Sequence, residues 1–150
     1  MINNVLVVCT GNICRSPMAA ELLRDMLDSR AGRDVSVESA GIHALVDHPA
    51  DPYAQELMEH RGLPIDMHIA RQINPNLLNW ADIILVMERN QKTFIERKYP
   101  QTRGKVFRLG EWTSSEIHDP YRKNKEYFTR ALSLIEDAAK TWVEKIINAS

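Results

Sequence analysis

The sequence predicts an α/β fold of three layers, with a four-stranded parallel sheet in the order 2-1-3-4 and helices on both of its faces. Short apolar segments typical of buried strands alternate along the chain with segments that carry helix-start signals and helical spacing. Such alternation favours a parallel sheet whose strands are joined by right-handed helical crossovers. Because the 150 residues contain no internal repeat or linker, we expect one domain over residues 1–150.

Four segments predict the strands. Residues 5–8 and 83–87 contain only apolar side chains, which is typical of strands that are buried on both faces. Residues 35–38 predict the second strand, which we expect to end at Ser39-Ala-Gly41, and residues 105–109 predict the fourth.

Four helices are expected between and after these strands. Ser16 is a suitable N-cap, and Pro17 fits the first helical position, where no backbone donor is needed. Asp51-Pro52 repeats this signal for a helix that runs to Arg61 and stops at Gly62. Two more helices are expected over residues 90–99 and 124–148.

Composition excludes several classes of function. The net charge is −1 and no basic stripe is present, so we expect no nucleic-acid partner. The apolar run at residues 5–8 is too short for a membrane span or the core of a signal peptide, and no other segment approaches the required length. We therefore expect no membrane insertion and a cytoplasmic protein, in which thiols stay reduced.

The segment from Cys9 to Ser16 joins the first strand to the first helix, and it has the composition of an anion-binding loop. Ligands of such sheets bind beyond the carboxyl ends of the strands, where a helix N-terminus presents free N–H groups. Gly11 and Asn12 tolerate the positive φ that lets successive N–H groups converge, and Arg15 offers a planar donor fork that matches two phosphate oxygens. The residues expected to bind phosphate are Thr10, Gly11, Asn12, Ile13, Cys14, Arg15 and Ser16.

Cys9 stands at the mouth of this loop and is the candidate nucleophile. A cysteine at a strand end is usually a small buried apolar residue. However, the positive field that attracts phosphate would also favour a thiolate, and the Ser16 hydroxyl can add a hydrogen bond to it. A thiolate under a bound phosphoryl group can attack phosphorus in line with the leaving oxygen.

Cys14 is open to two interpretations. It is close enough to Cys9 in sequence to form a disulfide that protects or switches off the nucleophile, or it is a small apolar side chain that packs below the loop. A zinc site is disfavoured because two cysteines alone do not supply four ligands.

Asp119 is the candidate general acid. The leaving oxygen of a phosphate ester, such as a tyrosyl oxygen with a pKa near 10, departs more easily if it receives a proton in the transition state. Pro120 restrains the residue before it to extended conformations, which would help to hold the carboxyl group in one direction. Tyr121 offers an aromatic wall for a phenyl ring.

Taken together, residues 7–17 (Val-Val-Cys-Thr-Gly-Asn-Ile-Cys-Arg-Ser-Pro) and Asp119-Pro-Tyr121 resemble the low-molecular-weight protein tyrosine phosphatases. The resemblance covers essentially the whole chain and includes Ser39-Ala-Gly41, His68-Ile-Ala-Arg-Gln72 and the segment from Asp82 to Met87.

The resemblance implies a phosphoric monoester hydrolase that needs no metal and no cofactor. It implies that Cys9 is the nucleophile, that Arg15 binds the phosphoryl oxygens, and that Asp119 is the acid and later the base that activates water. Asn12 and Ser16 would shape the loop and stabilise the thiolate. The paired cysteines of this family are associated with reversible oxidation, which implies a redox role for Cys9 and Cys14.

Two positions depart from the family pattern, and both concern the walls of the substrate site. Leu45 stands where some members have an aromatic side chain, and Arg122 follows Tyr121 where many members have a second aromatic. The expected substrate walls are therefore Leu45 and Tyr121. Residues 119–123 and 110–112 look like those of the bacterial branch associated with tyrosine autokinases of capsule or exopolysaccharide export, which implies such a kinase as the phosphotyrosine protein partner.

Two other functions fit parts of the pattern. A thioredoxin-coupled arsenate reductase uses a similar loop but relays oxidation through further cysteines, and this chain has none after Cys14. A non-catalytic module that binds phosphotyrosine would keep Arg15 without needing Cys9 or Asp119.

Overall fold

A computed structural model of the chain describes residues 1–30, 32 and 34–149, and it confirms the predicted α/β architecture. Four parallel strands form one sheet in the order β2-β1-β3-β4, as predicted. The strands are β1 (Asn4–Cys9), β2 (Ser36–Gly41), β3 (Ile83–Val86) and β4 (Val106–Arg108).

Over the residues that the structure describes, five α-helices connect and follow these strands. They are α1 (Arg15–Arg30), α2 (Pro52–His60), α3 (Pro75–Trp80), α4 (Arg89–Lys98) and α5 (Lys125–Asn148). Short 3₁₀ turns cover Pro100–Thr102 and Leu109–Trp112.

The alternating side chains of β1 divide the interior into two apolar layers. Val5 and Val7 pack on one face of the sheet with α1, α2 and α5. Leu6 and Val8 pack on the other face, against Leu78 of α3 and Ile95 of α4. Helices therefore cover both faces of the sheet. This burial on both faces explains why β1 is apolar from Val5 onward and β3 is apolar from Ile83 onward.

The second strand differs from its prediction. It continues through Ser39-Ala-Gly41 instead of stopping there, because Ala40 and Gly41 pair with the last two residues of β1. The small, mixed residues of this segment do not have the apolar pattern of a buried strand, yet its last three residues are buried.

The start of α1 also differs. The helix begins at Arg15, and Met18 N donates a hydrogen bond of 3.3 Å to Cys14 O. Cys14 rather than Ser16 therefore precedes the helix, and the Ser16 side chain is free to face the loop. The other predicted boundaries of helices and strands agree within about two residues, which is the usual uncertainty at their ends.

One helix, α3, was not predicted. Asn74 caps it by accepting a hydrogen bond of 2.8 Å from Leu77 N, and Pro75 occupies the first turn. This is the same cap-plus-proline signal that predicted α2, but six residues are too few to show an apolar period. In the part of the chain that the structure describes, no helix has the length and apolar character to cross a bilayer.

Candidate active site

The Cys9–Ser16 loop forms one side of a small pocket of about 150 Å³ at the carboxyl end of the sheet. We call it the Cys9 pocket. It brings together the predicted nucleophile, cation, acid and both predicted walls, although Asp119 is 104 positions away from Arg15 in the sequence. Its lining residues are Cys9, Thr10, Gly11, Ile13, Cys14, Arg15, His43, Leu45, Asp119 and Tyr121.

The Arg15 guanidinium is held by contacts from distant parts of the chain. Its side chain is only 1% exposed, and Nη1 donates to Glu88 Oε1 at 2.5 Å and to Ile117 O at 2.7 Å. Nη2 lies 3.4 Å from Thr10 Oγ1 and 3.6 Å from Asp119 Oδ2. These contacts fix one edge of the guanidinium plane toward the protein.

The Nε atom of Arg15 has no partner. Among the described residues it is the one buried side-chain nitrogen or oxygen without a hydrogen bond. Buried polar groups almost always have a partner, and an exception calls for an explanation, such as a ligand that the structure lacks. Because Arg15 lines the Cys9 pocket, an anion in that pocket is the natural acceptor.

Cys9 is the last residue of β1 and is 2% exposed. Its Sγ lies 2.9 Å from Ser16 Oγ, and Ser16 Oγ accepts a hydrogen bond of 2.7 Å from Asn12 Nδ2. Because an amide nitrogen only donates, this contact leaves the Ser16 hydroxyl proton available to Cys9. The geometry therefore suits a serine hydroxyl that donates to a thiolate.

Asn12 fixes the conformation of the loop. It has a φ of 59°, as expected from the sequence, whereas Gly11 does not have a positive φ, so that part of the prediction is wrong. The Asn12 side chain donates to Ser39 Oγ at 3.0 Å and accepts from Arg71 N at 2.9 Å. These two bonds offset the cost of a left-handed residue that is not glycine.

His68 supports the same residue from outside the loop, with Nε2 at 2.7 Å from Asn12 O. Burial lowers the pKa of His68, the positive charges of Arg24 and Arg71 lower it further, and the contact with Asn12 O opposes this shift. The neutral ring can donate from Nε2 to the carbonyl oxygen.

The side chains of Asn12 and Ser16 do not line the Cys9 pocket. Both are fully buried behind the loop, where they hydrogen-bond to each other. Of the seven residues predicted to bind phosphate, these two therefore have side chains placed to shape the loop, and direct contact would come from backbone N–H groups.

Asp119 stands at the pocket mouth with a side chain that is 43% exposed. Its Oδ1 accepts a hydrogen bond of 3.1 Å from Tyr121 N. This turn, together with the contact to Arg15, orients the carboxyl group toward the Cys9 pocket. A group in this position can exchange protons both with solvent and with a bound ester.

Cys14 lines the same pocket as Cys9, and its surroundings favour the neutral form of its thiol. Burial strongly raises the pKa of the Cys14 thiol, and the nearby charges of Asp51, Cys9 and Asp119 raise it further. Cys14 is therefore a neutral thiol at physiological pH, and both cysteines are free in the structure. The pocket thus holds two thiols with different surroundings.

The walls of the pocket include one residue that the sequence did not single out. His43 joins the predicted Leu45 and Tyr121, and its ring packs edge-on against Phe94 with centroids 5.6 Å apart. Leu45 is held near the loop because its backbone N donates to Gly11 O at 3.0 Å.

Sequence reasoning missed the residues that support the loop from a distance. Gln91 Nε2 donates to Thr10 Oγ1 at 3.1 Å, while its Oε1 accepts from the backbone of Met87 and Glu88. Glu88 and Gln91 form the capping box at the start of α4, a local motif that indicates a helix start but gives no sign of a contact with the loop. The segment around His68 and Arg71 belongs to the quoted resemblance, but no role followed from it.

A doubly covered parallel sheet with a cysteine, a buried arginine and an aspartate around one anion-sized pocket is an arrangement that suits a cysteine-dependent phosphatase. The comparison with family models names the particular class: residues 4–149 match the family described as low molecular weight phosphotyrosine protein phosphatase. The chain belongs to this family and is accordingly a hydrolase of phosphoric monoesters.

Individual relatives support the assignment over the full length. A probable low molecular weight protein-tyrosine-phosphatase EpsP from Ralstonia nicotianae is 49% identical over 146 residues, which cover 97% of each chain. The crystal structure of the tyrosine phosphatase Wzb from Escherichia coli K30 in complex with sulphate has a TM-score of 0.90 at 42% identity, covering 97% of this chain and 99% of that one. Vibrio vulnificus Wzb in complex with benzylphosphonate also has a TM-score of 0.90, at 37% identity and the same coverage.

Proposed function

We propose that this protein hydrolyses phosphotyrosine in proteins through a phosphocysteine intermediate. The observation that carries the proposal is the unpaired Nε of the buried Arg15 in a pocket that also contains Cys9 and Asp119. A phosphoryl oxygen would complete the hydrogen bonding of this donor. The benzylphosphonate and sulphate bound to the two Wzb proteins are oxyanions of the same tetrahedral kind.

In the proposed first step, the Cys9 thiolate attacks phosphorus and the bond between phosphorus and the tyrosyl oxygen breaks. Asp119 transfers its proton to that oxygen, so that neutral tyrosine leaves. The backbone N–H groups of the loop and the Arg15 guanidinium stabilise the charge on the equatorial oxygens.

In the second step, Asp119 is a carboxylate and removes a proton from water. The water oxygen attacks phosphorus, the bond between sulfur and phosphorus breaks, and Cys9 returns as a thiolate with release of inorganic phosphate. The Ser16 hydroxyl, 2.9 Å from the sulfur, stabilises the thiolate both before and after the cycle. This scheme uses no metal and no cofactor, because Arg15 and the loop supply the positive field.

The variant Cys9→Ser tests the nucleophile. We expect it to lose turnover of p-nitrophenyl phosphate and of a phosphotyrosine peptide by a factor of at least about 10³, while vanadate binding, measured by calorimetry, remains. Turnover of Cys9→Ser at the normal rate would show that Cys9 is not the nucleophile.

The same assays on the wild type separate the other two functions. A wild-type protein that binds phosphotyrosine without turnover would be a binding module, and one that consumes arsenate with thioredoxin would be a reductase.

We further propose that Cys9 and Cys14 form a reversible disulfide. Two thiols and one hydrogen peroxide would give one disulfide and two water molecules, and added thiol would restore both cysteines. The proposal is supported by two free cysteines that line one pocket five positions apart. After peroxide treatment and reduction with dithiothreitol, Cys14→Ser should regain a smaller fraction of its own initial activity than the wild type, and equal recovery would contradict the disulfide.

We propose a bacterial tyrosine autokinase of exopolysaccharide or capsule production as the substrate, and the cytoplasm as the compartment. Support comes from the resemblance of residues 110–112 and 119–123 to that branch and from the similarity to EpsP and Wzb. An Asp119→Ala variant immobilised on beads should retain a tyrosine-phosphorylated kinase from a cell extract, and vanadate should release it. Recovery of unrelated phosphoproteins alone would contradict this substrate.

A further inference from the structure

A second depression lies beside the Cys9 pocket and shares Asp119 with it. It encloses about 280 Å³ between the Asp119-Pro120 turn and the first turns of α5. We call it the Tyr127 groove. The residues that define it are His118, Pro120, Lys123, Tyr127, Arg130 and Leu134.

The floor of the Tyr127 groove is apolar. Tyr127, Ala131 and Leu134 have the spacing that places residues on one face of α5. Ala131 is buried in the core, but Tyr127 and Leu134 remain 44% and 37% exposed. An extended peptide can bury apolar side-chain surface here without any movement of the helix.

The rim of the Tyr127 groove is positively charged. Lys123 Nζ lies 4.8 Å from the centroid of the Tyr127 ring, and the Arg130 guanidinium lies 5.6 Å from the same ring. Arg130 is paired with Glu126 at 2.6 Å, with both side chains mostly exposed. No carboxylate of the described residues pairs with Lys123.

Of the described residues, Asp119 is the one acidic residue that lines the Tyr127 groove. Its Oδ2 lies 3.6 Å from Arg15 Nη2, so this carboxyl group contacts Arg15 and forms no ion pair with Lys123 or Arg130. The groove therefore presents cations above an apolar surface, next to the point where the tyrosyl group enters.

We propose that the Tyr127 groove binds the part of the protein substrate next to the phosphotyrosine, and that Lys123 and Arg130 select acidic side chains there. This inference rests on the proposed function, because it assigns a substrate class to the same site. The occupant is a peptide segment with acidic and apolar side chains close to the phosphotyrosine. Lys123 and Arg130 determine specificity and take no part in the chemical step.

The test compares two phosphotyrosine peptides that are identical except at the two positions on each side of the phosphotyrosine, which are Glu in one and Gln in the other. For the wild type at low salt, we expect kcat/KM to be about 3- to 10-fold higher for the Glu peptide, the range of one or two exposed ion pairs. In the double variant Lys123→Gln/Arg130→Gln this ratio should fall below about 2. Salt should reduce the wild-type ratio because exposed charges are screened.

A matched control removes the same charges elsewhere. Arg103 precedes β4 and so lies toward the amino ends of the strands, opposite the site, and Lys140 is about 15 Å further along α5 than Arg130 at 1.5 Å per residue. The variant Arg103→Gln/Lys140→Gln should keep the wild-type ratio of the two kcat/KM values. A fall of that ratio in this control would assign the preference to net charge and overturn the proposal.

A wild-type ratio near one, or an unchanged ratio in Lys123→Gln/Arg130→Gln, would also overturn the proposal. Failure of the proposed function itself would appear differently, as no turnover of either peptide by the wild type.

Discussion

The charge of Arg15 is the residue-scale feature on which the site depends. A guanidinium that is 1% exposed needs nearby negative charge or hydrogen-bond acceptors, because an unpaired buried ion is costly. Glu88 and the carbonyl of Ile117 supply part of this compensation from one side. Nε is buried and has no acceptor among the described residues, so a bound phosphoryl oxygen would complete the hydrogen bonding of the guanidinium.

Asp119 carries a residue-scale prediction about the leaving group. With Asp119→Asn, we expect kcat/KM for phenyl phosphates to fall about 10²- to 10⁴-fold when the phenol has a high pKa, and much less when the phenol is acidic and leaves without a proton. The measurement is the slope of log kcat/KM against leaving-group pKa, because kcat/KM covers the steps up to release of the phenol and does not include hydrolysis of the phosphocysteine, in which Asp119 is the proposed base. An equal loss across the whole series would show that Asp119 is not the acid.

The residues that the sequence predicted are those whose signal is local. Cys9 and Arg15 lie in one loop between a buried strand and a helix start, and Asp119 stands beside a proline. Glu88 gave no such signal, because its contact with Arg15 joins residues 73 positions apart. A solitary glutamate after a strand is indistinguishable from a surface charge until the fold brings its partner to it.

At the scale of elements, the junction of β2 with the Cys9–Ser16 loop is unusually close. A Cβ atom added to Gly41 would lie 2.5 Å from Thr10 O and 3.1 Å from Ala44 Cα, and both of these neighbours are backbone. Gly41 N and O also form hydrogen bonds to Arg71 O and Ile73 N. The end of β2 therefore sets the height of the loop above the sheet.

This close approach predicts that Gly41→Ala is destabilising and impairs catalysis. We expect the free energy of unfolding to fall by about 1–3 kcal/mol, since overpacked backbone must move, and kcat/KM to fall as the loop shifts. Urea unfolding and phosphopeptide turnover would measure the two effects. Gly11→Ala is the matched control for folding, because its added Cβ would have no neighbour closer than 3.7 Å and should leave the stability within about 1 kcal/mol of the wild type.

The same junction explains which elements the sequence predicted poorly. β1 and β3 are buried on both faces, so their apolar runs identified them directly. The end of β2 consists of Ser39, Ala40 and Gly41, whose small side chains fit the close packing beside the loop but do not form an apolar pattern. The short helix α3 was missed for a related reason. Its cap and its proline are helix-start signals, but its six residues show no apolar period that would predict a helix.

At the scale of the whole molecule, the buried His68 links folding stability to pH. Burial lowers its pKa in the folded protein, whereas in the unfolded chain it titrates near 6.5. As the pH falls below about 6.5, the unfolded chain takes up a proton before the folded protein does, so the free energy of unfolding decreases. The decrease continues until the pH reaches the lower pKa of the folded state.

We therefore expect His68→Gln to have a flatter stability profile than the wild type as the pH falls below about 6.5. Glutamine keeps an N–H donor for Asn12 O but does not titrate, so the comparison isolates the proton. Urea unfolding at several pH values would measure the two profiles. Parallel profiles would show that His68 does not contribute to the pH dependence.

The overall α/β class was predictable because it follows from the succession of elements along the chain. The hydrogen bonds that join distant segments of the chain at the site were not predictable from the sequence. The backbone N–H of Arg71 reaches Asn12 and the ring of His68 reaches the same residue, from a segment with no apolar or helical signal. Such contacts arise from the packing of the complete molecule.

The contact between Arg15 and Ile117, which spans 102 positions, has a consequence for fragments and for the growing chain. A polypeptide that stops before Ile117 already contains the whole Cys9–Ser16 loop, yet it lacks both the carbonyl that accepts from the guanidinium and the carboxyl group of Asp119, the proposed proton donor. We therefore expect turnover to report on assembly of these two distant parts of the chain, and we expect a newly synthesised chain to gain it only when the residues leading into α5 have emerged and docked.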